Sequence, residues 1–165
     1  MLTYKPITNE QYDEFMQLVL KEAADYLART MELMQLTLEQ AQQLFKATGQ
    51  IYGIYQEESL AGFYWIEERG NVLHLHGLIL KGEFQGKGIG TRVLSMLVDR
   101  YSDQMEVIEL GVHESNAKVR GLYERLGYQI VRHLHDLGFY IMQRPLREQL
   151  SLDKGTQEIS EGQAA

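Results

Sequence analysis

The apolar positions change period along the chain, and each change marks an element. Leu2 to Ile7 alternates weakly, as a short strand does. Thr8 with Gln11 three residues on forms a capping box, hydroxyl to the third backbone N–H and amide back to the cap, so a helix follows. Tyr12, Phe15, Val19 and Ala23 share one face of it, and the helical stretch extends, with a break, to about Met34. Thr37 and Gln40 repeat the capping signature. Ala41, Leu44, Phe45 and Thr48 then line the inner face of a second helix, which Gly49 stops.

From Gln50 the period becomes extended. Ile51 to Gln56 and Leu60 to Glu68 are rich in aromatic and branched residues, and Glu57-Glu58-Ser59 is short enough for a hairpin. Arg69-Gly70-Asn71 turns the chain again into Val72 to Leu80, which predicts three antiparallel strands in succession. After a glycine-rich loop, Leu94, Leu97, Val98 and Tyr101 recur at helical spacing, and Val107 to Val112 reads as a short buried strand. Asn116 caps a further helix with Val119, Leu122, Tyr123 and Leu126 inside, and Gly127 ends it. Tyr128 to Arg132 and Gly138 to Gln143 form a last pair of strands. Beyond Pro145 the residues turn polar, so residues 1–145 are expected to fold as one domain and 146–165 to form a flexible tail.

Composition sets outer bounds. A chain of 165 residues, 44% apolar, fits one domain with a core of ordinary size. Leu60 to Ile66 and Val72 to Leu80 fall short of the roughly 20 residues that span a bilayer, so no membrane partner is expected. Met1 to Lys5 lacks the basic and apolar regions of a secretion signal and the chain has no cysteine, which makes the cytoplasm the expected address. A net charge of −7 argues against nucleic acid, whose phosphates need a basic face. It favours cationic partners such as amines only mildly, because solubility accounts for acidity equally well.

The segment richest in chemistry is Gln85-Gly86-Lys87-Gly88-Ile89-Gly90-Thr91, between a strand and an amphipathic helix. Glycines let backbone N–H groups converge, and a helix N-terminus adds positive potential, so the segment can cradle a pyrophosphate with Lys87 at its rim. A tight strand-to-helix turn would use the same spacing. Two better-known phosphate loops do not fit. Gly82 to Gly86 leaves three intervening residues where a nucleotide-triphosphate loop needs four, and a dinucleotide fingerprint needs glycine where Thr91 stands.

What fits is the Gln/Arg-x-x-Gly-x-Gly/Ala pattern, met by Gln85, Gly88 and Gly90, which resembles the coenzyme A loop of the GNAT N-acetyltransferase superfamily. Asn116, Ala117, Tyr123, Gly127 and Tyr128 are similar to a second segment of that family, with Ala117 directly after Asn116 and Tyr128 in place of phenylalanine as departures. The resemblance spans about Leu2 to Pro145. It implies an α/β (α+β) fold: a mixed, mostly antiparallel sheet of about six or seven strands, flanked by about four helices, with a splayed central strand pair. It also implies acetyl-CoA as co-substrate, held by residues 85–91, by Asn116 and Tyr123, and by the backbones of Leu78, Ile79 and Leu80 beside the splay.

His74 and His76 stand two apart on one strand, so both emerge on one face, and with pKa values near ~6.5 they can take a proton from an ammonium. The pair is similar to the His-x-His of arylalkylamine N-acetyltransferases. Tyr123, protonated at neutral pH, matches the family tyrosine that returns a proton to the departing thiolate. Both readings compete with plainer ones, a half-exposed strand face and a core tyrosine. Tyr52, Phe63 and Trp65 are candidates for an acceptor pocket, and Glu67 and Glu68 for a cation anchor. His133, His135 and Asp136 resemble a metal cluster, but a turn or strand end accounts for them, and no metal is assigned.

The expected activity is direct transfer of acetyl to a primary amine in a ternary complex. Whether the acceptor is a small amine, a polyamine or a protein amine is open at this level, as is which histidine is the base. A non-catalytic acyl-CoA sensor and a purely structural domain are the competing functions, and a homodimer through sheet edges is compatible with either.

Overall fold

Both threonine caps form as their spacing dictates. The Gln11 N–H donates to Thr8 Oγ1 at 3.3 Å while Gln11 Oε1 accepts from the Thr8 N–H at 3.0 Å, and Thr37 and Gln40 repeat this at 3.2 and 2.9 Å. In the computed structural model, which describes residues 1–146, a strand β1 (Leu2–Pro6) precedes α1 (Asn9–Glu22), α2 (Ala24–Met34) and α3 (Leu38–Ala47). The expected break falls at Ala23, which leaves helical geometry at φ −134° and divides the first helical stretch in two, giving five α-helices rather than about four. Three antiparallel strands follow, β2 (Gln50–Gln56), β3 (Ser59–Arg69) and β4 (Val72–Leu80). Then come α4 (Ile89–Tyr101), β5 (Val107–His113), α5 (Ala117–Arg125), β6 (Gln129–Leu134) and β7 (Phe139–Pro145).

The seven strands form one sheet in the order β1-β2-β3-β4-β5-β7-β6. Every pairing is antiparallel except β4 with β5, which need the α4 crossover because parallel neighbours cannot be joined by a tight turn. This is the mixed, mostly antiparallel sheet of about six or seven strands that the family resemblance implies. Helices cover both faces. α1, α2 and α3 bury Phe15, Val19, Leu27 and Phe45 against Phe63 and Trp65 on one side. α4 buries Val93, Leu94 and Leu97 against Tyr64, Leu73, Leu75 and Ile108 on the other, where α5 also packs. Leu146 is buried and its N–H donates to the Glu106 carbonyl at 2.9 Å, while the rest of the expected tail lies outside the described residues. No described helix is long and apolar enough to cross a membrane.

Two irregularities in β4 shape the middle of the sheet. Its pairing with β5 covers only Val72 to Leu75 against Val107 to Leu110, after which the strands part. On its other side, Ile66 pairs with Leu75 and Trp65 with Gly77, leaving His76 as a bulged residue. One extra residue flips the alternation. Leu73 and Leu75 face α4, and so do Leu78 and Leu80, whereas Ile79 joins His74 and His76 on the α1–α3 side. Beside this point β3 and β4 approach closely: a Cβ on Gly62 would lie 2.1 Å from the Ile79 carbonyl oxygen, so only glycine fits.

Candidate active site

The parting of β4 and β5 opens a cleft of about 960 Å³ that runs through the sheet. His74, His76 and Trp65 line it on the α1–α3 side, and Asn116, Val119 and Tyr123 line it from α5. Residues on opposite faces of a sheet ordinarily never meet, so the splay is what makes one cavity of them. The volume suits a ligand with an extended arm.

Along the edge that β4 presents to the gap, backbone direction alternates. The Lys81 N–H donates to the Ala61 carbonyl on β3 at 2.8 Å, so in an antiparallel ladder Ile79 also turns its N–H and C=O to β3, while Leu78 and Leu80 turn theirs to the gap. Ile79 was expected to offer its backbone there and does not. The Leu80 carbonyl is taken by Gln85 Nε2 at 3.0 Å, which leaves Leu78 with its backbone groups directed into the splay.

The glycine loop follows this strand and leads into α4. Gly86 and Gly88 have φ of 73° and 79°, in the left-handed region that glycine tolerates, and a Cβ on either would meet nothing within 4 Å. Gly90 lies where a Cβ would come 3.8 Å from Leu78, so loop and strand edge adjoin. Among the described residues no side chain caps α4, and its first turn carries no acid, which leaves the N–H groups of Ile89, Gly90 and Thr91 without a partner there and with positive potential. The open cradle, the uncapped N-terminus and the splay fit a pyrophosphate with a long thiol arm. Lys87 is exposed and its ammonium lies 5.9 Å from the Phe84 ring. Gln85 and residues 86–91 stand outside the walls of the cleft, at its end. Gln85 spans loop and helix, reaching Glu22 Oε2 at 3.3 Å as well as Leu80.

The histidines are close, with ring centroids 4.6 Å apart. His74 Nδ1 meets Glu109 Oε1 at 2.8 Å, and His76 Nε2 meets Glu67 Oε1 at 2.8 Å. Burial lowers the pKa of each ring, and the carboxylates offset that only in part, so the neutral form, which can accept a proton, is favoured in both. Burial alone would raise the Glu109 carboxyl, yet hydrogen bonds from Gln143 and His74 take it below its ordinary value. Across the cleft, burial pushes the Tyr123 phenol up, which keeps it protonated. Asn116 caps α5, its Oδ1 accepting from the Val119 N–H at 3.4 Å.

Of the other candidates, Trp65 reaches the cleft, donating its indole N–H to the Thr48 carbonyl at 2.7 Å and stacking on His76 at 4.4 Å. Phe63 is wholly buried, and Tyr52 stacks on Tyr64 on the far face. Glu67 holds His76 instead of standing free at a strand end. The rings of His133 and His135 lie 3.9 Å apart, and His133 Nε2 is 3.3 Å from Glu114 Oε2 but off the line of a hydrogen bond. No cluster of three or more metal-ligating groups occurs among the described residues. Glu109 and Gln143 escaped the sequence reading, since only strand register brings them to His74.

The family model of the Acetyltransferase (GNAT) family matches residues 9–128, and the chain belongs to that family. Solved structures agree on the fold. An acetyltransferase from Thermus thermophilus superposes with a TM-score of 0.69 at 16% identity, covering 88% of this chain and 97% of that one. A GNAT family acetyltransferase from Elizabethkingia anophelis with acetyl-CoA bound gives 0.64 at 15% identity, covering 87% and 97%. The PaiA N-acetyltransferase from Thermoplasma acidophilum in complex with coenzyme A gives 0.60 at 15% identity, covering 88% and 99%. No curated protein matches the sequence.

Proposed function

We propose that the chain transfers acetyl from acetyl-CoA to a primary amine by direct attack in a ternary complex. The observation that carries this is the cleft through the splay, which brings His74 and His76 on one face of the sheet together with Tyr123 on the other; burial lowers the pKa of both imidazoles and raises that of the phenol. When bound, acetyl-CoA supplies an activated thioester. Residues 86–91 would hold its pyrophosphate, and the Leu78 backbone would hold its arm and donate an N–H to the thioester oxygen. The histidines take the proton that an ammonium must lose before its nitrogen can attack. The Tyr123 hydroxyl supplies a proton to the departing sulfur, and the second proton that the attacking nitrogen sheds on becoming an amide restores the phenol. The structures with acetyl-CoA and coenzyme A bound support the co-substrate through their shared fold.

The acceptor enters from the α1–α3 side, between Trp65 and the ends of α1 and α2. The chain is acidic, and on the cleft wall Glu22, Asp25 and Glu32 outnumber Lys21 and Arg29, a balance that suits a cationic amine. The chain has no cysteine to form an acetyl-enzyme by that route. Thiol release from acetyl-CoA, followed across alkylamines, arylalkylamines, polyamines and a basic peptide, tests the reading. Amine-dependent release that falls in Tyr123→Phe supports it. Binding without release from any amine would instead favour an acyl-CoA sensor.

A further inference from the structure

His74 and His76 each give one ring nitrogen to a carboxylate, and they give different ones. His74 uses Nδ1, toward Glu109, and His76 uses Nε2, toward Glu67, each at 2.8 Å. Both carboxylates have a second donor, Gln143 Nε2 on Glu109 and Arg69 Nε on Glu67, each at 2.7 Å. An ionised carboxylate only accepts, so the facing ring nitrogen must carry the hydrogen. His74 is therefore the Nδ1–H tautomer with its lone pair on Nε2, and His76 is the Nε2–H tautomer with its lone pair on Nδ1.

The two pairs also differ in place. His74 is the register partner of Glu109 within the joined part of β4 and β5. His76 is the bulged residue, one position past the last joined pair, at the mouth of the splay. Its ring is fixed between Trp65, stacked at 4.4 Å, and the edge of His74. The two rings are equally buried, at 16% for His76 and 15% for His74, but Glu67 is 27% exposed where Glu109 is 14% exposed, so the carboxylate behind His76 is the more hydrated of the two.

We propose that His76, through Nδ1, is the group that takes the ammonium proton, and that Glu67 and Glu109 are positioning residues fixing the tautomers of His76 and His74. This rests on the acetyl-transfer reading above. In the step, the ammonium N–H bond breaks, its electron pair stays on the amine nitrogen, and the proton forms the Nδ1–H bond of an imidazolium beside Glu67. The imidazolium then releases that proton to water between turnovers. Neighbouring charges are His74 on the same strand, Arg69 and Glu67 from β3, and Glu109 from β5. From the helical side Lys21, Glu22, Asp25, Arg29 and Glu32 line the same cleft.

Two-bond proton–nitrogen NMR spectra of the imidazoles, assigned with His74→Ala and His76→Ala, read the tautomers without any turnover. His76 is expected as Nε2–H and His74 as Nδ1–H, and Glu67→Ala or Glu109→Ala should average the tautomers of its own partner alone. In steady state, His76→Ala should lower kcat/KM about tenfold or more beyond His74→Ala. Glu67→Gln keeps an acceptor but removes the charge, so the acid limb of kcat/KM should move to lower pH while acetyl-CoA affinity holds within about twofold. The opposite tautomer at His76, an unmoved limb in Glu67→Gln, or His74→Ala as the costlier variant would overturn the proposal. Wild-type protein that releases no thiol with any amine would overturn the transfer reading itself, and the proton-acceptor role with it, whatever tautomers the spectra show.

Discussion

Gly88→Ala separates the strain a side chain causes in the loop from the space it takes from a ligand. Gly88 has φ 79° and ψ 7°, and its new methyl would meet nothing within 4 Å. The cost to folding is therefore backbone strain alone, about 1–2 kcal/mol for an L-residue in the left-handed region. At about 2–4 °C per kcal/mol for a domain of this size, Tm should fall by about 2–8 °C. Gly70, in the β3–β4 turn, supplies the control, since its φ is 60° and a Cβ there also meets nothing within 4 Å. Gly70→Ala should lose the same stability. Under the proposed function, only at Gly88 would the methyl compete with a pyrophosphate, displacing a charged oxygen from a backbone N–H. Loss of one such hydrogen bond is worth about 1.5–3 kcal/mol, or roughly 10- to 100-fold in Kd. Differential scanning fluorimetry and calorimetric titration with coenzyme A read the two effects separately. Equal coenzyme A affinities in the two variants would refute the assignment of the cradle.

Tyr123→Phe should lower kcat by about 10²-fold or more while leaving the Kd for acetyl-CoA within about threefold, measured by stopped thiol assays and calorimetry. Tyr128→Phe should stabilise the fold by about 1 kcal/mol, because the Tyr128 hydroxyl is buried without a hydrogen-bond partner among the described residues; a lower Tm would show that the hydroxyl is satisfied. Leu27 is the buried residue by which α2 joins the core, so Leu27→Ala should cost about 2–5 kcal/mol by urea denaturation, and in native buffer raise the KM of the amine more than that of acetyl-CoA. Burial holds the pKa of His74 and His76 below their ordinary value, so as pH falls through about 6.5 the unfolded chain binds protons the native state refuses. Stability from this source is present above that pH and lost below it, and His74→Gln should flatten the fall in Tm between about pH 7 and about pH 5.5. The lowered carboxyls of Glu67 and Glu109 add their own loss only further into acid, as pH drops through their folded values.

Local signals were legible wherever a single residue spacing decides the outcome. Thr8 with Gln11 and Thr37 with Gln40 announce their helices because the capping bonds reach only three residues. The placing of His74 and His76 on one face follows from a period of two. The same rule fails at Ile79, because the bulge at His76 inserts an extra residue that no nearby pattern declares, apart from Gly77 beside it. Glu109 was invisible for a different reason. Thirty-five positions separate it from His74, and only the α4 crossover and the parallel register of β4 with β5 put the two side by side. Gln143 joins them because β7 inserts between β5 and β6, a non-sequential order that residue spacing does not encode.

Calorimetric titration of the protein with acetyl-CoA tests the central claim most directly, since the cleft, the cradle and the uncapped α4 all converge on that one ligand. A saturable isotherm with one site per chain, displaced by coenzyme A and weakened in Gly88→Ala but not in Gly70→Ala, is the expected result. No saturable binding at millimolar acetyl-CoA would contradict the account.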